Sequence, residues 1–319
     1  MTKLPVAAGL ALALTAGSAL AADLPHYKGP PPFMPPPFTW TGIYGGVNIG
    51  GAFGNQDNQW TRENIHSALG APIFGGVGWN RKSNLSGVIG GGQIGYNYQF
   101  NPWFVVGVET DFQGAGIQNT TNGWGPGVTT PGIAIPGVLS SAYAGAGTVN
   151  SRVNWWGTVR GRVGVTPFMP NLMFYATGGF AYGQSSSNFN YGSTRGISGA
   201  IPFGPFAIPY NITSGAFGSA SFDNVKTGWT VGGGFEYAPL MFPNWSFKLE
   251  YDYVDLGRTT LTTLGLGTTT FAIGPFAASA PFFNSATTSV QTRFHVARVG
   301  LNYRLNWFSA PSAPVLAKY

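Results

Sequence analysis

Glu109 and Asp111, Arg160 and Arg162, and Lys248, Glu250 and Asp252 recur two residues apart, while Glu236, Arg298 and Arg304 occupy equivalent positions in their own segments. A spacing of two is one face of a β-strand. Charges of both signs on such faces can form a fixed layer of ion pairs, a solvated polar filling, or a gate in a narrow pore. They stand out because the chain has so few: charged residues make up 8%, against roughly 25% in typical soluble proteins. The expected layer joins Glu109, Arg160, Arg162, Glu250 and Arg298 at one level, with Asp111, Asp252 and Lys248 around them and Glu236 with Arg304 to one side.

Other chemistry is thinly supplied. The histidines are His26, His66 and His295. His295 could approach Asp255, with Ser289 nearby in sequence, but a hydrolase needs nucleophile, base and orienting acid in contact. No catalytic residue is expected. Gly90, Gly92 and Gly95 satisfy the spacing of a dinucleotide loop, yet no helix follows to hold the phosphates, so no cofactor is expected. There is no cysteine, which removes disulfides and thiolate metal sites.

The elements that must position the charges alternate. In "WSFKLEYDYVDLG", Trp245, Phe247, Leu249, Tyr251 and Tyr253 fall on one face, and Ser246, Lys248, Glu250 and Asp252 on the other. Eight such segments are predicted, at about 39–53, 86–100, 103–117, 152–165, 172–183, 225–237, 245–256 and 293–305. Alternation places Val153, Trp155, Val159 and Val163 opposite Arg152, Asn154, Arg160 and Arg162, and Val299, Leu301, Tyr303 and Leu305 opposite Arg298, Asn302 and Arg304. Short, proline-marked connections alternate with long ones, the pattern of an outer-membrane β-barrel with short periplasmic turns and four long extracellular loops.

Alternation alone does not say which face is inside. The charges lie in the segments rather than in the long connections, and aromatics mark segment ends: Tyr98, Phe100, Trp103, Phe104, Tyr237, Trp245, Tyr303 and Trp307 for one girdle, Trp155, Trp229 and Tyr253 for the other. Trp245 to Tyr253 spans roughly 20 Å after tilt, close to an apolar membrane band. Apolar faces are therefore expected outward, in lipid, and the charges inward.

The ends of the chain agree with export. "MTKLPVAAGLALALTAGSALA" has a basic start, a short apolar run and a small-x-small site, a signal peptide expected to be cut near Ala21. A proline-rich spacer follows over 22–38, the barrel is expected over 39–305, and a periplasmic tail over 306–319. The net charge of +6 comes without any basic run, so no nucleic-acid partner is expected.

"AADLP", "FTWTGIYGGVNIGGAFG", "VNWWGTVRGRVGV", "FYATGGFAYG", "GWTVGGGFEYA" and "KLEYDYVDLG", in that order, resemble the small outer-membrane barrels of the alphaproteobacterial porin (RopB-like) family. The resemblance implies an all-β, eight-stranded antiparallel transmembrane barrel related in architecture to the OmpA transmembrane domain. Arg298, Gly300, Tyr303 and Leu305 resemble the terminal signal that such barrels present to the assembly machinery, although here the chain continues to Tyr319. Implied partners are outer-membrane lipid and lipopolysaccharide, periplasmic chaperones and that machinery. Two functions stand: a structural barrel contributing to envelope integrity, with or without a narrow pore, and a surface receptor or adhesin, for example for haemin. The second would use the loops, where "PGIAIPG", "IPFGPFAIPYNI" and "FAIGPFAASAPFF" are unusually apolar; these stretches are expected to pack as a compact irregular plug.

Overall fold

The computed structural model describes residues 38–66, 72–74, 78–126 and 138–305. The expected leader and spacer up to Pro37, the "PGIAIPG" stretch and the expected tail after Leu305 lie outside these. Within them every regular element is a strand: β1 (Gly42–His66), β2 (Pro72–Phe74), β3 (Gly78–Gln99), β4 (Phe104–Pro126), β5 (Val138–Val165), β6 (Leu172–Phe203), β7 (Phe206–Tyr237), β8 (Trp245–Ile273) and β9 (Phe276–Leu305). Short β2 pairs only with the outer end of β1. The eight long strands pair antiparallel in sequence order, and β9 closes the ring on β1 through pairs from Ile43↔Leu305 to Phe53↔His295. Closure leaves no edge to be satisfied by lipid.

The facing follows the expected parity. Phe247 and Leu249 are 57% and 45% exposed, whereas Glu250 and Asp252 are 2% and 0%. Val47, Ile49, Val108, Val159, Val231 and Val299 join the outward set. An apolar exterior this continuous needs an apolar solvent. At the periplasmic rim the turns are locally encoded: Asn101 Oδ1 accepts the N–H groups of Trp103 and Phe104, both at 2.8 Å, an Asx-type turn.

Two expectations change. The eight long strands are 22 to 32 residues long, and the third and fourth long connections are extracellular β-hairpins continuous with the barrel, not an irregular plug. Their tips are the repeated Gly-Pro-Phe-Ala. The register brings Phe203 to Phe206 and Ile273 to Phe276 across two-residue turns, and Gly204 and Gly274 open those turns at φ 59° and 56°. Only glycine takes that first position without strain in a II′-like hairpin. The remaining residues, rich in Gly, Ser and Thr, carry little apolar signal but still pair.

The second change is one of parity. A register shift between Val153 and Trp155 inserts an extra residue into β5. Beyond it Val153 is buried inside and Arg152 and Asn154 face outward, the reverse of the expected assignment. A bulge turns every residue past it to the other face. The adjacent Trp155 and Trp156, which break the alternation, are its mark in the sequence.

Candidate functional site

The inward side chains form layers stacked along the barrel. Nearest the periplasm, Trp40, Val105, Met173, Tyr175 and Ala238 pack with Phe38. Above the charges lies a second apolar layer in which Leu85, Ile89, Ile117, Val153, Trp156, Val254, Leu256, Phe294 and Val296 meet. Charge and upper apolar layer follow in the same order on different strands; β5 runs Arg162, Arg160, Trp156, Val153, and β9 runs Arg298, Val296, Phe294. The ionic residues are enclosed at both ends.

Arg160 is the hub of the layer. Its Nη2 donates to Glu109 Oε1 at 2.5 Å and Asp111 Oδ2 at 2.9 Å, and its Nη1 to Glu250 Oε1 at 2.8 Å and Asp252 Oδ1 at 2.9 Å. Arg298 donates through Nε to Glu250 at 3.0 Å and through Nη2 to both Glu250 and, at 3.0 Å, Asp111. Lys248 Nζ lies 3.0 Å from Glu109 and 3.2 Å from Glu250. Arg162 pairs with Glu236 at 2.9 Å. These groups are almost wholly buried, where a partly broken set of charges costs far more than a complete one gains.

Neutral groups that sequence reasoning missed extend the network. Tyr44 Oη donates to Glu109 at 2.7 Å and accepts from Arg162 at 2.8 Å, and Tyr175 Oη donates to Glu250 at 2.5 Å. Glu236 accepts from Ser246 at 2.5 Å and Asn302 at 2.9 Å, and Gln93 donates to Asn302 at 2.7 Å. All eight long strands thus contribute a side chain. The missing signal was parity: Tyr44 shares its face with Asn48, opposite Val47 and Ile49, and Tyr175 lies opposite Phe174 and Phe180.

Glycine makes room for these charges. Glu109 is register-paired with Gly95, Arg162 with Gly107 and Arg160 with Gly179. Asp252 faces Gly232, Glu250 faces Gly234, Lys248 faces Gly300 and Arg298 faces Gly50. A Cβ at Gly179 would lie 2.7 Å from the Arg160 Cα, and one at Gly50 would lie 2.7 Å from the Arg298 Cα. The glycines let strands approach closely enough for long side chains to fill a narrow lumen.

Arg304 does not meet Glu236 as expected. Its guanidinium donates to the carbonyls of Thr39 and, at 3.0 Å, Pro243, and lies over the rings of Phe38 and Trp40 at 4.6 and 5.2 Å. It ties the entry of β1 to the β7–β8 turn, while Arg162 takes Glu236. Of the residues resembling an assembly signal, Arg298 belongs to the layer, Gly300 faces Lys248, and Tyr303 and Leu305 point outward on the closing strand. His295 Nδ1 hydrogen-bonds the Tyr251 hydroxyl at 2.7 Å, while Asp255 accepts from Gly257 N–H and Gln291.

A closed antiparallel barrel with an apolar exterior, aromatic girdles and a buried polar interior is an integral membrane β-barrel. Residues 9–304 match the outer membrane protein beta-barrel domain, and the chain belongs to that family of the bacterial outer membrane. It is 32% identical over 298 residues to the 31 kDa outer-membrane immunogenic proteins of Brucella melitensis and Brucella suis, covering 92% of this chain and 95% of each relative. Among solved structures it is similar to the outer membrane protease OmpT from Escherichia coli (TM-score 0.30, 10% identity, 85% of this chain and 99% of that one). It is also similar to the attachment invasion locus protein Ail of Yersinia pestis (TM-score 0.26, 13% identity, 81% and 99%).

Proposed function

We propose that this protein is a structural barrel of the outer membrane, sealed by its own side chains, that contributes to envelope integrity rather than solute passage. The observation carrying this reading is the ionic layer joined to all eight long strands and capped on both sides by apolar layers. An ion crossing it would have to shed water at two apolar levels and displace paired charges between them. Each step is unfavourable in a low-dielectric interior. The mature chain, refolded and inserted into a planar bilayer, is expected to remain electrically silent; steady unitary conductance in salt would end the sealed reading.

A second reading, a surface receptor or adhesin, is favoured by the hairpin tips, where Phe203, Phe206 and Phe276 are exposed on strands projecting beyond the membrane. The immunogenic character in the Brucella relatives' name is compatible with such exposure. Ser187 and Phe222 are register partners, so a two-residue turn joining them shortens the β6–β7 hairpin while keeping the transmembrane part. On this reading haemin retained by whole cells falls to background with the shortened chain. Unchanged retention, with the chain still folded, removes that hairpin as the receptor.

A further inference from the structure

We propose that Lys226 binds a small anion of halide size in a polar layer of the lumen, entered from the extracellular side. The layer is read from the order of inward side chains. On β5 it runs Trp156, Val153, Ser151, Val149; on β6, Ser185, Ser187, Phe189; on β9, Phe294, Thr292, Val290. Trp156, Val153 and Phe294 belong to the apolar layer above the charges, whereas Val149, Phe189 and Val290 form a further apolar layer with Tyr191 and Leu261. Between the two lie the hydroxyls of Ser151, Ser187 and Thr292 and the ammonium of Lys226.

Small side chains leave room there. A ring of eight strands keeps about the same bore from level to level, and serine and threonine do not fill what tryptophan and phenylalanine fill on either side. The wall opens at the same place. The β7–β8 ladder runs up to Trp229↔Asp255 and resumes only at Phe217↔Leu266, so Lys226 lies within the lapse. Asn224, the next residue on its face, is exposed. Because the lapse begins beyond Trp229 and Tyr253 of the outer girdle, it meets water rather than lipid.

Lys226 itself is only 9% exposed. Its Nζ donates to Thr292 Oγ1 at 3.2 Å and lies 5.7 Å from the centre of the Phe222 ring. Lys248 touches two carboxylates; Lys226 has none within ion-pair distance among the described residues. The acid near enough to act on it is Asp255, whose oxygens accept from Gly257 N–H at 2.7 Å and Gln291 at 3.3 Å. An ammonium has three N–H groups, so two are left for a ligand. A covered charge without a counter-ion is costly, and an anion that accepts those N–H groups removes the cost. The Thr292 hydroxyl, which accepts from Nζ, is free to turn its own hydrogen to the same ion. One ammonium, one hydroxyl and apolar layers on both sides suit a monovalent ion; a phosphate calls for a guanidinium fork or several donors. This inference goes beyond the sealed-barrel reading and holds whether or not the barrel conducts.

The test follows the urea midpoint of the refolded mature chain as chloride replaces gluconate at constant ionic strength. An ion bound by the folded state alone raises the midpoint with the logarithm of its concentration above half-saturation, and that rise is expected for the parent, with bromide acting as chloride does. Lys226→Met is expected to show no rise, and in gluconate to be at least as stable as the parent, since it fills the same space with no charge to pair. Arg152→Gln, outward on β5, should keep the full rise. A parent midpoint indifferent to chloride, or a rise that survives Lys226→Met, would overturn the site. Should Lys226→Met not fold, Thr292→Val carries the comparison: a blunted rise supports the site and an undiminished one removes it. Bilayer conductance decides the sealed reading separately, so the two can fail independently.

Discussion

Replacing Arg160 with alanine is expected to lower stability more than any other single change in the ionic layer. One guanidinium there serves Glu109, Asp111, Glu250 and Asp252, with contacts from 2.5 to 2.9 Å and no exposed surface on its side chain. Alanine leaves those four carboxylates facing one another, with Arg298, Lys248 and Arg162 already engaged. Breaking a buried set of charges by removing one partner costs about 3–5 kcal/mol. Arg160→Lys keeps the charge but loses the planar fork that reaches two carboxylates per nitrogen, so it should fall between. The urea midpoint of the refolded barrel, followed by tryptophan fluorescence, reads the effect. A midpoint equal to the parent's would mean that water solvates the layer and no coupled network exists.

Trp156→Ala is expected to have the second-largest effect, and a different signature. Trp156 is fully buried in the upper apolar layer, edge-on to Phe294 at 5.7 Å, with the Arg298 guanidinium 5.9 Å from its ring. Its Nε1 finds no hydrogen-bond partner among the described residues, so shape and apolar surface hold it there. Truncating a buried tryptophan to alanine costs about 3–5 kcal/mol through lost burial and the cavity left behind. Trp156→Phe, which refills most of the volume, should restore most of the loss. On the sealed-barrel reading the cavity also admits water to the ionic layer from above. Trp156→Ala with Phe294→Ala should then show ion flux in a bilayer where the parent is silent. If the double variant stays silent while stability falls, the ionic layer blocks passage without the apolar layer's help.

Much of the architecture was legible because side-chain direction in a strand is local. Lys248, Glu250 and Asp252 share a face whatever happens elsewhere in the chain, and charge-poor composition with aromatic segment ends gave that face an inward direction. Legibility failed where locality did. The hairpin extensions of β6 to β9 are Gly-, Ser- and Thr-rich, and the few apolar residues they bury, such as Phe189, Tyr191, Leu261 and Val290, are too sparse to mark a period even where the backbone pairs. Arg152 and Val153 were reversed because one extra residue in β5 shifts parity for all that lies beyond it.

The sequence by itself determined the class of protein and, up to the β5 bulge that reverses Arg152 and Val153, which charges face inward and which apolar side chains face outward, since both follow from a period of two read against composition. The tertiary structure decided which charges meet. Asp111 reaches Arg298 across 187 residues of sequence, and Glu236 takes Arg162 while Arg304 turns to backbone carbonyls and rings at the rim. Partners across a lumen depend on how the eight strands are staggered when the ring closes. No local pattern carries that stagger, and neither does it reveal that apolar layers enclose the charges from both sides.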